Sequence, residues 1–541
     1  MDIKQISALR KSGHLQEALQ AAEHEFDRNA NPYTASALFW CLYDLCKQQS
    51  GEEAIATFER IEELACQCPT DEYMQKAYVA MKRRFKPHYQ DVKDALEKAK
   101  NGVDAMAEYK HVMKLFDAGE LDASLYQDFG WLTYYALKHT PLNDAHSRKM
   151  MLNQYFKLKL SRPSQLHSLI LAEAVKVEQN TPLQFRIRDF IKMWGLENLR
   201  DDDWNQFTTD DGKTLPSLVE KLVGVYAKEV KTDGIVAPDE FASLVDEAMM
   251  RYPKNQNMPY YKAVVLISQG KKDEAVGYYR DLILRFPAKY YLWDHISSLI
   301  DDIDTKIGLL GKALSTGDDE SFLGNVRLKM AQLLLQKGLA ANAKYELEKY
   351  AETYRNNGWA LKQDYKQVCN QLPKVDAATD NKPIYAEYAA KAEEFIYSEL
   401  PTVVAVKIDD AQIDDRIHPG RKIVVWRFST KDATLRLKKP AKFGLGKRMA
   451  NGSIFDIKAQ DGKIVWIKPH IGDVSEDWLK ESTGIVSLRT DRKGNRYAII
   501  GGAYVDHKLL TSVAEGESVK ILARQKEDGR WAAVSLTKMD R

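Results

Sequence analysis

Long apolar runs are missing from the 541-residue chain. No stretch approaches the roughly 20 residues that a membrane-spanning helix needs. The N-terminus, MDIKQISALRKSGHLQEAL, places a polar residue every few positions, so it does not read as a signal peptide, and lipidation signals are missing as well. Cysteine is scarce. The five are Cys41, Cys46, Cys66, Cys68 and Cys369, an odd number without a regular framework, which argues for reduced thiols in a cytosol. A cytoplasmic protein is the expectation.

Motifs of enzymes are scarce too. There is no phosphate-binding loop of the GxxxxGK[ST] type and no HExxH. Phe443-Gly444-Leu445-Gly446-Lys447 suggests a glycine-rich loop only faintly, because no strand precedes it and no helix follows in the right place. Cys66-Gln67-Cys68, with His88 downstream, lacks the second pair that a zinc site normally uses. Asp201-Asp202-Asp203 and Asp301-Asp302 read as helix-start or loop acids, and the eleven histidines are dispersed. No pairing of nucleophile and base follows from spacing. The expectation is a non-enzymatic protein with no catalytic residue, metal or cofactor.

What is present is divided unevenly along the chain. Residues 401–541 hold 27 Lys and Arg against 18 Asp and Glu, a surplus of nine. The whole chain carries only +2, so the first 400 residues carry about −7. A basic tail on an acidic body suggests that the tail meets something anionic.

Residues 1 to about 375 have helical periodicity. In Glu52 to Cys68, for instance, Ala54, Ile55, Phe58, Ile61, Leu64 and Ala65 share one face, and Glu and Arg fill the other. Short breaks at Ser12-Gly13, Ser50-Gly51, Gln269-Gly270 and Lys337-Gly338 separate helices of about a dozen residues, the organisation of a helical solenoid. The clearest unit is MPYYKAVVLISQGKKDEAVGYYRDLILRFP, Met258 to Pro287. It resembles the tetratricopeptide repeat, and the resemblance implies that Ala263 and Ala275 are the small residues at a helix crossing, that Leu266 fills the groove, Gly270 turns the chain, Tyr279 is an aromatic core position and Pro287 closes the unit. Ile6, Leu9, Gly13, Ala18 and Ala22 repeat the spacing, as do Ala331, Leu334, Gly338, Ala343, Leu347 and Tyr350. These units resemble the tetratricopeptide repeat. Residues 100–250 are helical but off the pattern.

The character changes after Pro373. Lys374 to Pro383 is polar and reads as a linker, and Ile384 to Leu400 as a connecting helix. From Pro401 onward, β-branched residues and alternation dominate, with turns at Gln460-Asp461-Gly462, Arg492-Lys493-Gly494 and Asp528-Gly529. Within Arg421 to Arg448 lie ten basic residues and one acid, Asp432, interleaved with Trp426, Phe428 and Phe443. Such a local positive potential attracts polyanions. Arg421, Trp426, Arg427, Phe428, Lys438, Lys439, Lys442 and Phe443 are therefore candidate contacts to nucleic acid.

The final 60 residues run GIVSL, DRKGNRYAIIGG, AYVDHKLL, EGESVKILARQ, KEDGR and WAAVSL. This order resembles a cold-shock domain, a five-stranded barrel of the OB type. The resemblance implies a basic-aromatic strand at Lys493, Gly494, Arg496, Tyr497 and Ile499, followed by an aromatic and histidine strand at Tyr504 to His507. Lys493, Arg496, Tyr497, Tyr504 and His507 would then contact single-stranded nucleic acid, by base stacking on rings and backbone tracking by cations. The chain departs from the family where Ala498 and Ile499 replace its usual Gly and Phe, and it has no Trp on the first strand.

The expected fold is multidomain: a mainly α, tetratricopeptide-like solenoid over 1–375, a linker and connecting helix over 376–400, a basic β-rich domain, divergent OB-like, over 401–475, and a cold-shock-like barrel over 476–541. The expected function is that of a scaffold holding a protein or peptide in the solenoid groove and RNA or single-stranded DNA at the tail. This combination is similar to accessory proteins of prokaryotic defence systems. The alternative is a purely protein-binding adaptor whose β tail serves assembly or autoinhibition.

Overall fold

The computed structural model describes residues 2–67, 71–181, 184–414, 420, 422–438, 445, 449–473, 476–491 and 494–539, except the side chains at 66, 67 and 414. The chain divides into two compact units, Met1–Gly270 and Lys271–Arg541. The division falls inside the segment read from sequence as one helical scaffold. The second unit holds helices together with all the C-terminal strands.

The first unit is helical apart from a two-stranded ladder between Phe207–Thr208 and Thr214–Leu215. Its first five helices, to Phe85, share a core around Phe39, Leu42, Phe58 and Ile61. Helices from Tyr89 onward share a second core that includes Phe129, Leu132, Trp194 and Phe241. Helices pack chiefly on their sequence neighbours, the pattern of a tetratricopeptide-like solenoid. The repeat residues are where the spacing requires them: Ala18, Ala22, Ala263, Ala275, Ala331 and Ala343 are all buried.

One helix ending recurs. After Ile3–Lys11, Gly13 takes φ 90° and the His14 N–H donates to the Leu9 carbonyl at 3.0 Å. After Gly324–Gln336, Gly338 takes φ 77° and Leu339 donates to Leu334 at 2.8 Å. A residue free to adopt left-handed φ lets the chain close this bond and satisfy a terminal carbonyl. The same closure occurs at Gly119, with Glu120 donating to Leu115, and at Gly358, with Trp359 donating to Tyr354. Residues 100–250 thus use the repeat's turn without its sequence spacing.

A strained electrostatic site lies inside the first unit. Glu178, on Gln165–Asn180, is buried, and its Oε2 has no hydrogen-bond partner among the described residues. Burial, and then the nearby Glu229 carboxylate, push its pKa up to about 7, against opposition from Arg186 and the Ile187 N–H. Glu229 is occupied by Arg188, whose Nε lies 3.3 Å from its Oε1.

In the second unit, helix Ile303–Thr316 packs closely on Lys382–Tyr397. The approach depends on Gly308 and Gly311. A β-carbon at Gly308 would collide with the Tyr388 carbonyl oxygen, and one at Gly311 would stand 3.3 Å from Tyr385 Cβ. The segment expected as a linker is anchored along Ala340–Asn356. Ala378 N–H donates to Ala341 O at 2.9 Å, and Lys344 Nζ donates to Val375 O at 2.8 Å. Asn381 is fully buried, giving its Nδ2 to Glu346 at 2.6 Å, while Arg327 Nη1 reaches the other oxygen of Glu346 at 2.6 Å.

The strands form one small closed barrel and a second, half-barrel sheet of six strands. The first consists of β1 (Val403–Asp414), β2 (Lys422–Ser429), β3 (Thr434–Lys438), β4 (Ile454–Gln460) and β5 (Lys463–Pro469). It is closed in the order β1-β2-β3-β5-β4, antiparallel except where β3 meets β5. The second consists of β6 (Leu479–Ile485), β7 (Arg489–Thr490), β8 (Arg496–Ile500), β9 (Ala503–Val505), β10 (Ser518–Gln525) and β11 (Trp531–Lys538). Its order is β6-β10-β11-β9-β8-β7, with β9 and β11 parallel. Gly484 on β6 lies against Ile500 on β8, which brings the two halves of the sheet together. Each of the two has one parallel pairing, β3 with β5 and β9 with β11, among antiparallel ones. They meet at an apolar seam of Val406, Trp478, Leu479 and Val534.

Two outcomes follow from these contacts. Gly308→Val should lower stability by about 1–3 kcal/mol in thermal or urea unfolding, because overpacking must part the two helices. An unchanged melting temperature would contradict the packing. Glu178→Gln tests the buried carboxyl. Its folded pKa lies above the ordinary 4.5, so charging it opposes folding. That cost is absent below about pH 4.5 and complete above about pH 7. The variant should melt higher than the parent at pH 8, with the difference closing as pH falls to 4.5.

Candidate nucleic-acid interface

Alternation along β8 and β9 decides which residues face outward. Ala498, Ile500, Ala503 and Val505 enter the core of the second barrel. Tyr497, Ile499 and Tyr504 take the opposite face, and Ile499 pairs directly with Tyr504. The two tyrosine rings stack at 5.5 Å between centroids and 24° between planes. Tyr504 is 37% exposed and Ile499 41%, so the stack opens on solvent. The tight turn at Gly501-Gly502 holds the strands in register. Both glycines have positive φ, and a β-carbon at Gly501 would collide with the Ser482 side chain.

Charges of both signs surround the rings. Arg496 is exposed at the start of β8, and Arg489 on β7 is the direct cross-strand partner of Tyr497. Lys480 Nζ sits 4.3 Å from the Trp531 ring centre and donates to the Gly501 carbonyl at 2.9 Å. Partial burial, followed by Asp506, Asp491 and Tyr497, raises the pKa of Tyr504. His507 lies beyond the end of β9, in a turn, with Nδ1 3.0 Å from the Asp506 carboxylate. Lys493 lies outside the described residues.

The first barrel requires corrections. Trp426 and Phe428 cannot stack on bases, because they are the interior of the barrel. Trp426 is 3% exposed and Phe428 0%, in a cluster with Leu435, Leu437, Phe455 and Ile467. The intervening Arg427 points outward instead, and its Nε donates to Asp409 Oδ1 at 2.5 Å, with Nη2 on Oδ2 as well. Arg427 holds the Asp409 carboxyl below its ordinary pKa. Lys438 is exposed at the end of β3, two residues from the exposed Arg436. Arg421, Lys439, Lys442 and Phe443 lie outside the described residues. The outward surface of this barrel's described strands β2 and β3 is cationic, without a stacking ring.

Sequence reasoning missed Arg489 and Arg436. Both were legible as cations on the outward phase of an alternating strand, once β-structure is assumed. Elsewhere, no group of three or more potential metal ligands occurs among the described residues. Cys41 and Cys46 are buried, and burial pushes the Cys41 thiol up to about 11. No described helix is long and apolar enough to cross a membrane.

Residues 256–392, about a quarter of the chain, match a family described as a domain of unknown function, DUF7017. No curated protein sequence matches the chain. Among solved structures, the chain is similar to the APC/C hetero-tetramer Cut9-Hcn1, at 14% identity over 73% of this chain and 82% of that one, with a TM-score of 0.23. It is similar to yeast Tom70 at 12% identity, covering 73% and 96% with a TM-score of 0.22. Naa15/Naa10 bound to HypK-THB matches at 11% identity over 72% and 58%, with a TM-score of 0.26. TM-scores this low leave the fold resting on the chain's own helices, turns and strand order.

The division between core and surface rings has a direct check. Trp426→Ala should destabilise the protein by about 3–5 kcal/mol in urea unfolding, as removal of a large core side chain does. Tyr504→Ala, at a half-open surface, should cost far less. Equal costs would show that the two rings are not divided in this way.

Proposed function

We propose that the protein is a non-enzymatic scaffold that binds a protein partner through its helical repeats and single-stranded RNA or DNA through its tandem barrels. The observation that carries the nucleic-acid reading is the pair of stacked tyrosines, Tyr497 and Tyr504, on the open face of β8 and β9. Unpaired bases stack on such faces, and nearby cations track the backbone.

The strand order supports an OB-type reading of both barrels. In OB-type barrels, the face of the second and third strands and the adjoining loops take up oligonucleotides. Taking β6 and β7 as one first strand makes β8 and β9 the second and third. The exposed Arg530 belongs to the loop between β10 and β11. The surplus of nine positive charges in residues 401–541 supports attraction of a polyanion.

The helix-on-neighbour packing and the recurrent turn support a repeat surface for a protein or peptide. Cysteine usage supports a cytoplasmic setting, and the joining of repeats to cold-shock-like barrels supports an accessory role in prokaryotic defence.

Fluorescence polarisation with the full chain and labelled 12-nucleotide RNA and DNA single strands, at about 50 and 200 mM salt, tests the reading. Binding at micromolar Kd or tighter, weakening steeply with salt, is expected. Tyr497→Ala or Tyr504→Ala should each weaken it about 5- to 150-fold, the equivalent of roughly 1–3 kcal/mol per stacked base. Absence of binding at the lower salt would leave a purely protein-binding adaptor with the barrels as an assembly module.

A further inference from the structure

The outward row that carries Tyr504 continues across the second barrel. Register pairs Ile499 with Tyr504, Tyr504 with Ala532, Ala532 with Arg524, and Arg524 with Leu479. Residues paired in this way share a face of the sheet. Arg524 on β10 is thus two strands from Tyr504, about 10 Å at ordinary strand spacing. The residue between them in the row is Ala532.

The far end of this row is the seam between the barrels. Leu479 belongs to the apolar cluster that joins them. Arg524 Nη1 donates across the seam to Ser429 Oγ, at the end of β2, at 2.9 Å. Arg427 stands two residues before Ser429 on β2 and repels Arg524. Cations from both barrels therefore converge here.

Their compensation is incomplete. Asp409 is held by Arg427 in a two-point pair. No carboxylate forms an ion pair with Arg524 among the described residues; Glu527 and Asp409 act on it only at longer range. Burial and then Arg427 lower the pKa of Arg524, which shows that its surroundings disfavour its charge. A half-buried guanidinium whose one side-chain hydrogen-bond partner among the described residues is a hydroxyl, with a second guanidinium nearby, raises the energy of the folded chain. A bound anion would lower it and would use the donors of Arg524 that Ser429 leaves unspent.

We propose that the seam between the barrels is a phosphate subsite, in which Arg524, with Arg427 close by on β2, holds the backbone of a single strand whose bases stack on Tyr497 and Tyr504. The proposal rests on the nucleic-acid reading above and extends it from one barrel to a path across two.

Polarisation titrations of the full chain with the same 12-nucleotide strands, between about 50 and 200 mM salt, test it. Arg524→Gln should weaken binding about 5- to 10-fold at the lower salt and flatten the slope of log affinity against log salt by about 0.7, the value for one phosphate contact on a single strand. Arg524→Lys, which keeps the charge, should retain most of the slope. Thermal melting of both variants should stay close to that of the parent. If Arg524→Gln leaves affinity and slope unchanged while Tyr504→Ala still weakens binding, the subsite is wrong and the stacking site stands. If Arg524→Lys loses as much as Arg524→Gln, the side chain is structural and the subsite is again wrong. If the parent chain binds neither strand at low salt, both readings fall together.

Discussion

The second unit depends on one half-buried carboxylate. Glu393, on the helix Lys382–Tyr397, receives Lys312 from helix Ile303–Thr316 at 2.8 Å. On its other side, it receives Lys468 at 3.1 Å and the Trp466 indole N–H at 3.2 Å, both from β5 of the first barrel. Burial works to raise its pKa, but Lys312 and Lys468 outweigh burial and hold it below the ordinary carboxylate range. One charge thus secures the helices to the barrels. Lys458 Nζ, donating to the Tyr397 carbonyl at 2.6 Å, adds a second tie from β4 to the end of the same helix.

The closed barrel and the six-stranded sheet spend their aromatics differently. In the first, Trp426 and Phe428 fill the interior, and the outward Trp466 faces Glu393. That barrel is occupied with holding its own fold and its neighbour. In the second, the interior is built from Ala, Val, Ile and Leu, among them Ala498, Ala503 and Ala523. A core of small residues leaves Tyr497 and Tyr504 free for the outer face. The seam of Val406, Trp478, Leu479 and Val534 then fixes the second barrel to the first.

Much of this was legible in the residues. The breaks at Gly13, Gly270 and Gly338 mark helix ends because a left-handed turn there needs a residue without a side chain. Buried alanines at repeat spacing mark close packing. The turn at Gly119 was not legible, because the flanking small residues that define the repeat are missing from residues 100–250. Tyr497 and Tyr504 were singled out correctly as neighbours on adjacent strands. Trp426 and Phe428 were not separable from surface aromatics by composition, since basic residues alternate with them in sequence while their side chains point the other way.

The sequence by itself determined the helical repeats, the start of the β-rich tail and its positive charge, because periodicity, turn chemistry and net charge are local or additive properties. Tertiary structure alone decided which phase of each strand faces the core. It also decided that Asn381, in an apparent linker, is buried against Glu346, and that Arg524 and Arg427, 97 positions apart in the chain, converge at one seam. Burial and the meeting of charges depend on what the rest of the chain brings alongside, and no local pattern carries that information.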